Sequence, residues 1–269
     1  EHRYYDEALR VLRSDDLEAT PGNVRLALEL IEAAREPYSE VGINTVEPRS
    51  WAASCHGGAC QRRPEAFVPR PLPSAPGLAA LELESSRAKV WLLEGLVTED
   101  EVSTLLGRAR QINFTVSRTN HPSGQDWRTS SSVVLPRDDL DFAPLLARAA
   151  ELCGVPVGFL EAPQIVRYLP GERYQPHFDS EGPDHRHWTV LVYLNDPERG
   201  GGTTFPLLRL RVNPAAGAGV FWENLAAAGD TPRLIRNYYT LHDGQAPTAA
   251  APKYAVNIWV RKKEYTPEL

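Results

Sequence analysis

A chain of 269 residues with 29 Lys and Arg against 35 Asp and Glu carries a formal charge of −6. That speaks against a nucleic-acid binder built on a basic surface, because phosphate contacts demand clustered cations. At 42% apolar and 24% charged residues the composition is that of a folded protein and not of a disordered one. No run of about 18 apolar residues occurs that could span a bilayer. The charged start EHRYYDEALR is no signal-peptide core, and three cysteines are too few for a disulfide scaffold or a four-ligand zinc cluster. The absence of Met even at position 1 is expected of a trimmed start, so a targeting segment is not excluded.

Two helical patterns open the chain, Tyr5 to Arg13 and Asn23 to Arg35, around the breaker Ala19-Thr20-Pro21-Gly22. They suggest a helical hairpin that serves as a packing arm or partner surface. From Val46 to Ala79 recurrent prolines deny the chain regular structure. Within that stretch Cys55 and Cys60 are spaced for a small disulfide loop, with a metal site or two free thiols as the alternatives. The boundary between an extension, residues 1–84, and a main domain, residues 85–269, is placed at the end of this stretch.

The main domain opens with a strand-like Ala88 to Leu93. Thr98-Glu99-Asp100-Glu101 is a capping-box signature, so a helix is expected from there to about Gln111. A second helix is expected from Asp139 to Cys153, ended by Gly154. Short β-branched and aromatic segments recur at 131–135, 164–169, 188–195, 203–205, 219–222, 234–240 and 254–260. This pattern indicates an antiparallel sandwich or barrel with two helices supporting one face.

His177-Phe178-Asp179 places an imidazole and a carboxylate on one side of an extended segment, where both could grip one ion. Alone the signal is poor, since roughly one His-x-acid triplet is expected by chance in this composition. His242, four expected strands further on, would complete a set of two imidazoles and one carboxylate. That set leaves positions open on Fe(II). Lys253 stands at the entrance of an apolar strand, where burial would require an anionic partner. A dicarboxylate held by the iron at its other end would supply one, and an ammonium left in water is the alternative. His185-Arg186-His187 reads as a polar loop rim, and Asn113-Phe114-Thr115 as a glycosylation sequon or as a buried Phe.

Four ordered motifs together resemble the prolyl 4-hydroxylase group of 2-oxoglutarate- and Fe(II)-dependent dioxygenases. They are Tyr168-x-Pro170-Gly171-x-x-Tyr174-x-x-His177-x-Asp179, Arg186-x-x-Thr189-x-x-x-Tyr193-Leu194-Asn195, Gly201-Gly202-Thr203-Thr204-Phe205-Pro206, and His242 followed by Lys253. The resemblance covers about residues 85–269 and implies a mostly β fold: a double-stranded β-helix (jelly-roll) core with supporting helices and an N-terminal helical extension. It implies iron on His177, Asp179 and His242. It further implies 2-oxoglutarate on Lys253, Tyr168 and Thr204, and a peptide groove lined by Arg128, Ser130, Tyr174, Arg186 and Trp259. Thr203 stands where the group usually has Glu, and the run from His242 to Lys253 is one residue longer than usual and lacks the Gly before the lysine.

The activity so implied is hydroxylation of prolyl residues in a peptide or protein. O2 is consumed, succinate and CO2 are coproducts, and ascorbate is the expected reductant. Asp179 disfavours halogenation, which needs a small residue at its position. Two rivals stay open: a hydroxylase of a free amino acid or small molecule on the same fold, and a non-catalytic β-barrel binding module. The partner expected is a proline-containing peptide, with the extension as a candidate homodimer surface. The compartment stays open between the secretory pathway and the cytoplasm.

Overall fold

The computed structural model describes residues 43–48, 79–117, 127–180, 185–227 and 232–266. The expected helical hairpin, the Cys55 and Cys60 pair and all but the ends of the Pro-rich stretch lie outside the described residues.

Fifteen strands are described: β1 (Asn44–Val46), β2 (Ala79–Glu84), β3 (Val90–Glu94), β4 (Thr115–Val116), β5 (Ser131–Val134), β6 (Gln164–Tyr168), β7 (Tyr174–His177), β8 (Arg186–Tyr193), β9 (Thr203–Phe205), β10 (Leu210–Val212), β11 (Gly219–Glu223), β12 (Leu225–Ala227), β13 (Leu234–Arg236), β14 (His242–Gly244) and β15 (Lys253–Arg261). Two helices join them, α1 (Glu99–Gln111) and α2 (Ala143–Cys153). Eight strands form one sheet in the order β2-β3-β11-β8-β15-β6-β5-β4. Five form a second, β1-β10-β9-β14-β7, and β12 and β13 make a separate ribbon. The two large sheets face one another as a jelly roll, the double-stranded β-helix that the motifs implied.

Alternation along the strands explains which residues reach the space between the sheets. On β15, Tyr254, Val256, Ile258 and Val260 point outwards and join Val190, Val192 and Leu93 in the core that lies under the helices. α1 adds Val102, Leu105 and Ala109 to this core, and α2 adds Leu145, Leu146, Ala149 and Leu152. The odd-numbered residues of β15, beginning with Lys253 and Ala255, belong to the inner face. There Leu92, Val166, Tyr193, Phe205, Val212, Val220 and Trp222 close the second core. One face of the large sheet thus rests on helices and the other on the smaller sheet, so each strand alternates between two buried environments.

α1 begins as expected, with the Thr98 hydroxyl accepting from the Glu101 N–H and the Glu101 carboxylate accepting from the Thr98 N–H. α2 starts at Ala143, four residues later than expected. Asp139 to Phe142 form a turn, and Pro144 sits in the helix's first turn, where its missing N–H costs nothing. Gly154 ends the helix at φ 65°. The segment expected as one strand over 234–240 splits into β13 and a 3-10 turn, Tyr238–Thr240, which the Asn237 side chain caps. β1 and β2 come from within the expected extension and pair with β10 and β3 of the two sheets.

Candidate active site

His177 ends β7, Asp179 lies just beyond it, and His242 begins β14. These strands are antiparallel neighbours with His242 opposite His177, which brings sequence-distant residues together. The ligand atoms of the three side chains lie within 4.8 Å of one another. Asp179 Oδ1 is 3.8 Å from His177 Nε2, and Asp179 Oδ2 is 3.8 Å from His242 Nε2. Each histidine turns Nδ1 to a carbonyl oxygen, His177 to Gln175 at 2.8 Å and His242 to Thr240 at 2.9 Å. A carbonyl only accepts, so Nδ1 carries the proton and Nε2 presents its lone pair to the centre.

Burial, reinforced by His242 nearby, holds His177 well below the ordinary imidazole range, in the neutral form that metals bind. Burial pushes the Asp179 carboxyl up, but His242, His177, Arg186 and the Thr189 hydroxyl outweigh it and hold the group below its usual value. A charged carboxylate beside imidazole Nε2 atoms suits a divalent ion such as iron and leaves coordination positions open. Among the described residues this is the one group of His, Cys, Asp and Glu placed to hold a metal.

Lys253 begins β15 opposite Tyr168 of β6 and is 2% exposed, so the longer run that precedes it does not displace it from the inner face. Its Nζ lies 5.0 Å from the centre of the Tyr168 ring and 5.3 Å from that of Tyr193. Burial lowers its pKa to about 7, and the charge of Asp243 only partly offsets this. The Tyr168 hydroxyl hydrogen-bonds the Ser130 side chain. Gly244 leaves it room, since a Cβ there would come within 2.8 Å of that oxygen.

Thr204 does not join this cluster. Thr203 accepts a 2.8 Å hydrogen bond from the Tyr193 hydroxyl, and the Phe205 ring lies 5.7 Å from that of His242, so both face inwards. Thr204 stands between them and projects, with its register partner Asp243, from the other face of the smaller sheet. Its hydroxyl is buried there without a hydrogen-bond partner. The glycines here that adopt a positive φ are Gly200 and Gly201, at 71° and 73°; Gly200 lies against the backbone of Ala246 to Thr248, and a Cβ on Gly201 would lie 3.2 Å from Lys253 Cδ. The motif is therefore Gly200-Gly201-x-Thr203. The run of three glycines hid its register from the sequence.

The expected groove residues fall into two stacks. Tyr174 lies flat on the His177 ring, centroids 3.5 Å apart at 15°, and the Arg128 guanidinium covers it at 4.5 Å. Arg128 and Ser130 are both buried and bonded to each other at 3.1 Å, so they back the tyrosine. In the second stack the Arg186 guanidinium lies 3.6 Å from the centre of the Trp259 ring, held by two hydrogen bonds to Glu161 of 3.0 and 2.9 Å. Arg261 also donates to Glu161 at 2.8 Å, and these two arginines outweigh burial and hold that carboxyl below its usual range. Gln164 accepts from Arg128 and from Asn257, its register partner on β15. Glu161, Gln164, Tyr193 and Thr203 escaped the sequence reading. Tyr193 and Thr203 nevertheless lay in motifs it had singled out.

Arg186 and His187 belong to β8 and His187 is buried, which corrects the reading of 185–187 as a loop rim. Phe114 of the sequon is half-buried beneath the Arg167 guanidinium at 4.7 Å.

Residues 163–261 match the 2OG-Fe(II) oxygenase superfamily. Prolyl 4-hydroxylase subunit alpha-1 of Rattus norvegicus is 27% identical over 268 residues, 92% of this chain and 46% of that one. The Homo sapiens alpha-1 subunit is 35% identical over 127 residues, 43% and 22% of the two chains. A putative prolyl 4-hydroxylase of Acanthamoeba polyphaga mimivirus is 28% identical over 151 residues, 52% and 60%. The chain thus spans less than half the length of these alpha-1 subunits. The 2OG complex of the viral collagen prolyl hydroxylase from Paramecium Bursaria Chlorella virus-1 shares the fold at a TM-score of 0.50 and 23% identity, over 64% of this chain and 95% of that one.

Proposed function

We propose that this chain, which belongs to the 2OG-Fe(II) oxygenase superfamily and is prolyl 4-hydroxylase-like within it, hydroxylates prolyl residues in a peptide or protein. The observation that carries the reading is the convergence of His177, Asp179 and His242 between the sheets, with a buried lysine on the inner face of the larger sheet. His177 Nε2, Asp179 and His242 Nε2 would hold Fe(II). Lys253, Tyr168 and Thr203 would receive the 2-oxoglutarate, Thr203 in place of Thr204. Bound together, the iron, the keto acid and O2 supply the oxidising power for C–H hydroxylation and leave succinate and CO2.

The chain's own residues do the rest. The Lys253 ammonium neutralises the far carboxylate of the cosubstrate and so fixes which end reaches the metal. The Gln175 and Thr240 carbonyls keep both imidazoles in the ligand tautomer. The Arg186–Trp259 stack and the edge of Tyr174 would line the seat of a prolyl ring, while Arg128 and Ser130 hold Tyr174 and Tyr168 from behind. Ascorbate belongs to this reading as reductant. So does a catalytic unit that takes in β1 and β2 as well as residues 85–269, with the preceding segment as a partner surface for a second copy, checked by light scattering on the intact chain.

The test is mass spectrometry of a panel of proline-containing peptides incubated with the protein, Fe(II), 2-oxoglutarate and ascorbate. Gain of one oxygen on proline, abolished in His177→Ala, is the expected result. Succinate release that no peptide stimulates would overturn the peptide assignment.

A further inference from the structure

Behind the carboxylate of Asp179 lies a line of buried polar side chains to which the reading above assigns no role. The Thr189 hydroxyl donates to Asp179 Oδ2 at 2.7 Å. Asn224 Nδ2 donates to the Thr189 oxygen at 2.9 Å, and Trp222 Nε1 donates to Asn224 Oδ1 at 2.8 Å. Thr189, Asn224 and Trp222 are each no more than 1% exposed. We propose that Thr189, Asn224 and Trp222 are positioning residues that fix the orientation of the Asp179 carboxylate, and with it the metal affinity of the centre.

The direction of every proton in this line follows from donor chemistry. An indole nitrogen only donates, so the Asn224 oxygen must face Trp222 and its NH2 must face Thr189. An amide NH2 also only donates, so it occupies a lone pair of the Thr189 hydroxyl, whose own proton is left to point at Asp179. An ionised carboxylate only accepts. The line therefore ends on the charged form of Asp179 and takes up one of its lone-pair directions, which restrains rotation of the group.

The line is anchored at its far end as well. Trp222 and Thr189 are direct cross-strand partners of β11 and β8. The Asn224 backbone donates to the His187 carbonyl and accepts from the Asn237 N–H, both at 2.8 Å. The Trp222 ring meets the His242 ring edge-on at 4.8 Å, and Phe205 packs against both. One tryptophan thus fixes a carboxylate ligand through hydrogen bonds and an imidazole ligand through a ring contact.

This inference rests on the assignment of His177, Asp179 and His242 as metal ligands, and the test separates the two. Co(II) alone is titrated into the protein by calorimetry, without cosubstrate or turnover, and melting temperatures are recorded. Thr189→Val keeps the shape and removes the donor. Asn224→Asp keeps the shape and places an acceptor where the NH2 was, which draws the Thr189 proton away from Asp179. Each is expected to weaken Co(II) binding by about 10- to 100-fold, while Thr189→Ser restores it to within about threefold. Co(II) affinity unchanged in Thr189→Val or in Asn224→Asp, with His177→Ala still abolishing binding, overturns the positioning role and leaves the metal assignment standing. Binding that survives in His177→Ala overturns both. Should Thr189→Val not fold, the comparison of Asn224→Asp with Thr189→Ser decides alone.

Discussion

Lys253 places an ammonium beyond the reach of bulk water, and the consequences for the chain and for its ligand run in opposite directions. Its folded pKa of about 7 lies below the ordinary lysine value of 10.5 because burial disfavours the charge. The cost of charging it is present below about pH 7 and is relieved as the pH rises towards the unfolded value. A dicarboxylate needs the charged form. Its affinity is therefore expected to fall by up to about tenfold per pH unit above about pH 7. Calorimetric titration of 2-oxoglutarate into Mn(II)-loaded protein from about pH 6 to about pH 9 measures this, with Lys253→Ala as the control that should show weak binding and no slope. A flat profile in the unaltered protein would sink the assignment of Lys253 to the cosubstrate. The lysine was legible in the sequence because a charge on an apolar strand demands an explanation. Thr203 was not, because three glycines and two threonines in a row allow two registers and only strand alternation separates them.

At the scale of elements, legibility followed the strength of the local signal. The capping box of α1, the Gly154 stop of α2 and long strands such as β8 and β15 were legible because caps and runs of β-branched residues act over a few neighbouring residues. β7, β10 and β14 are three or four residues long, and two of them carry the metal candidates. His242-Asp243-Gly244 has no strand propensity to read; its conformation comes from β7 and β9 on either side. The same contrast separates stability from chemistry. Replacing Thr98 by Ala removes the acceptor for the Glu101 N–H and is expected to cost about 1 kcal/mol of unfolding free energy. α1 packs on the outer face of the large sheet, so Co(II) affinity should stay that of the unaltered protein. Denaturant melts alongside metal titrations test both halves, and a parallel loss of affinity would show that α1 helps to shape the centre.

At the scale of the whole molecule, the motifs pointed to the fold, while the strand pairing reaches back beyond residue 85. A Pro-rich stretch reads as a linker, so the boundary fell at residue 84. β2 lies on the near side of it, yet pairs along its length with β3 and buries Ala80 and Leu81 at 3% and 2% exposure. Pairing of this kind is invisible in a single sequence, since β3 would be an acceptable edge strand without it. The energetic difference is large enough to measure. Burial of one leucine contributes roughly 1.5–3 kcal/mol, against roughly 5–15 kcal/mol for a whole domain, and the lost ladder hydrogen bonds add to it. A chain that starts at residue 85 should therefore melt at least about 5 °C below one that starts at residue 78, and its exposed β3 edge should lower its soluble yield. Both versions lack β1, so the comparison isolates β2. Equal melting temperatures would place β2 outside the catalytic unit and restore the boundary read from the prolines.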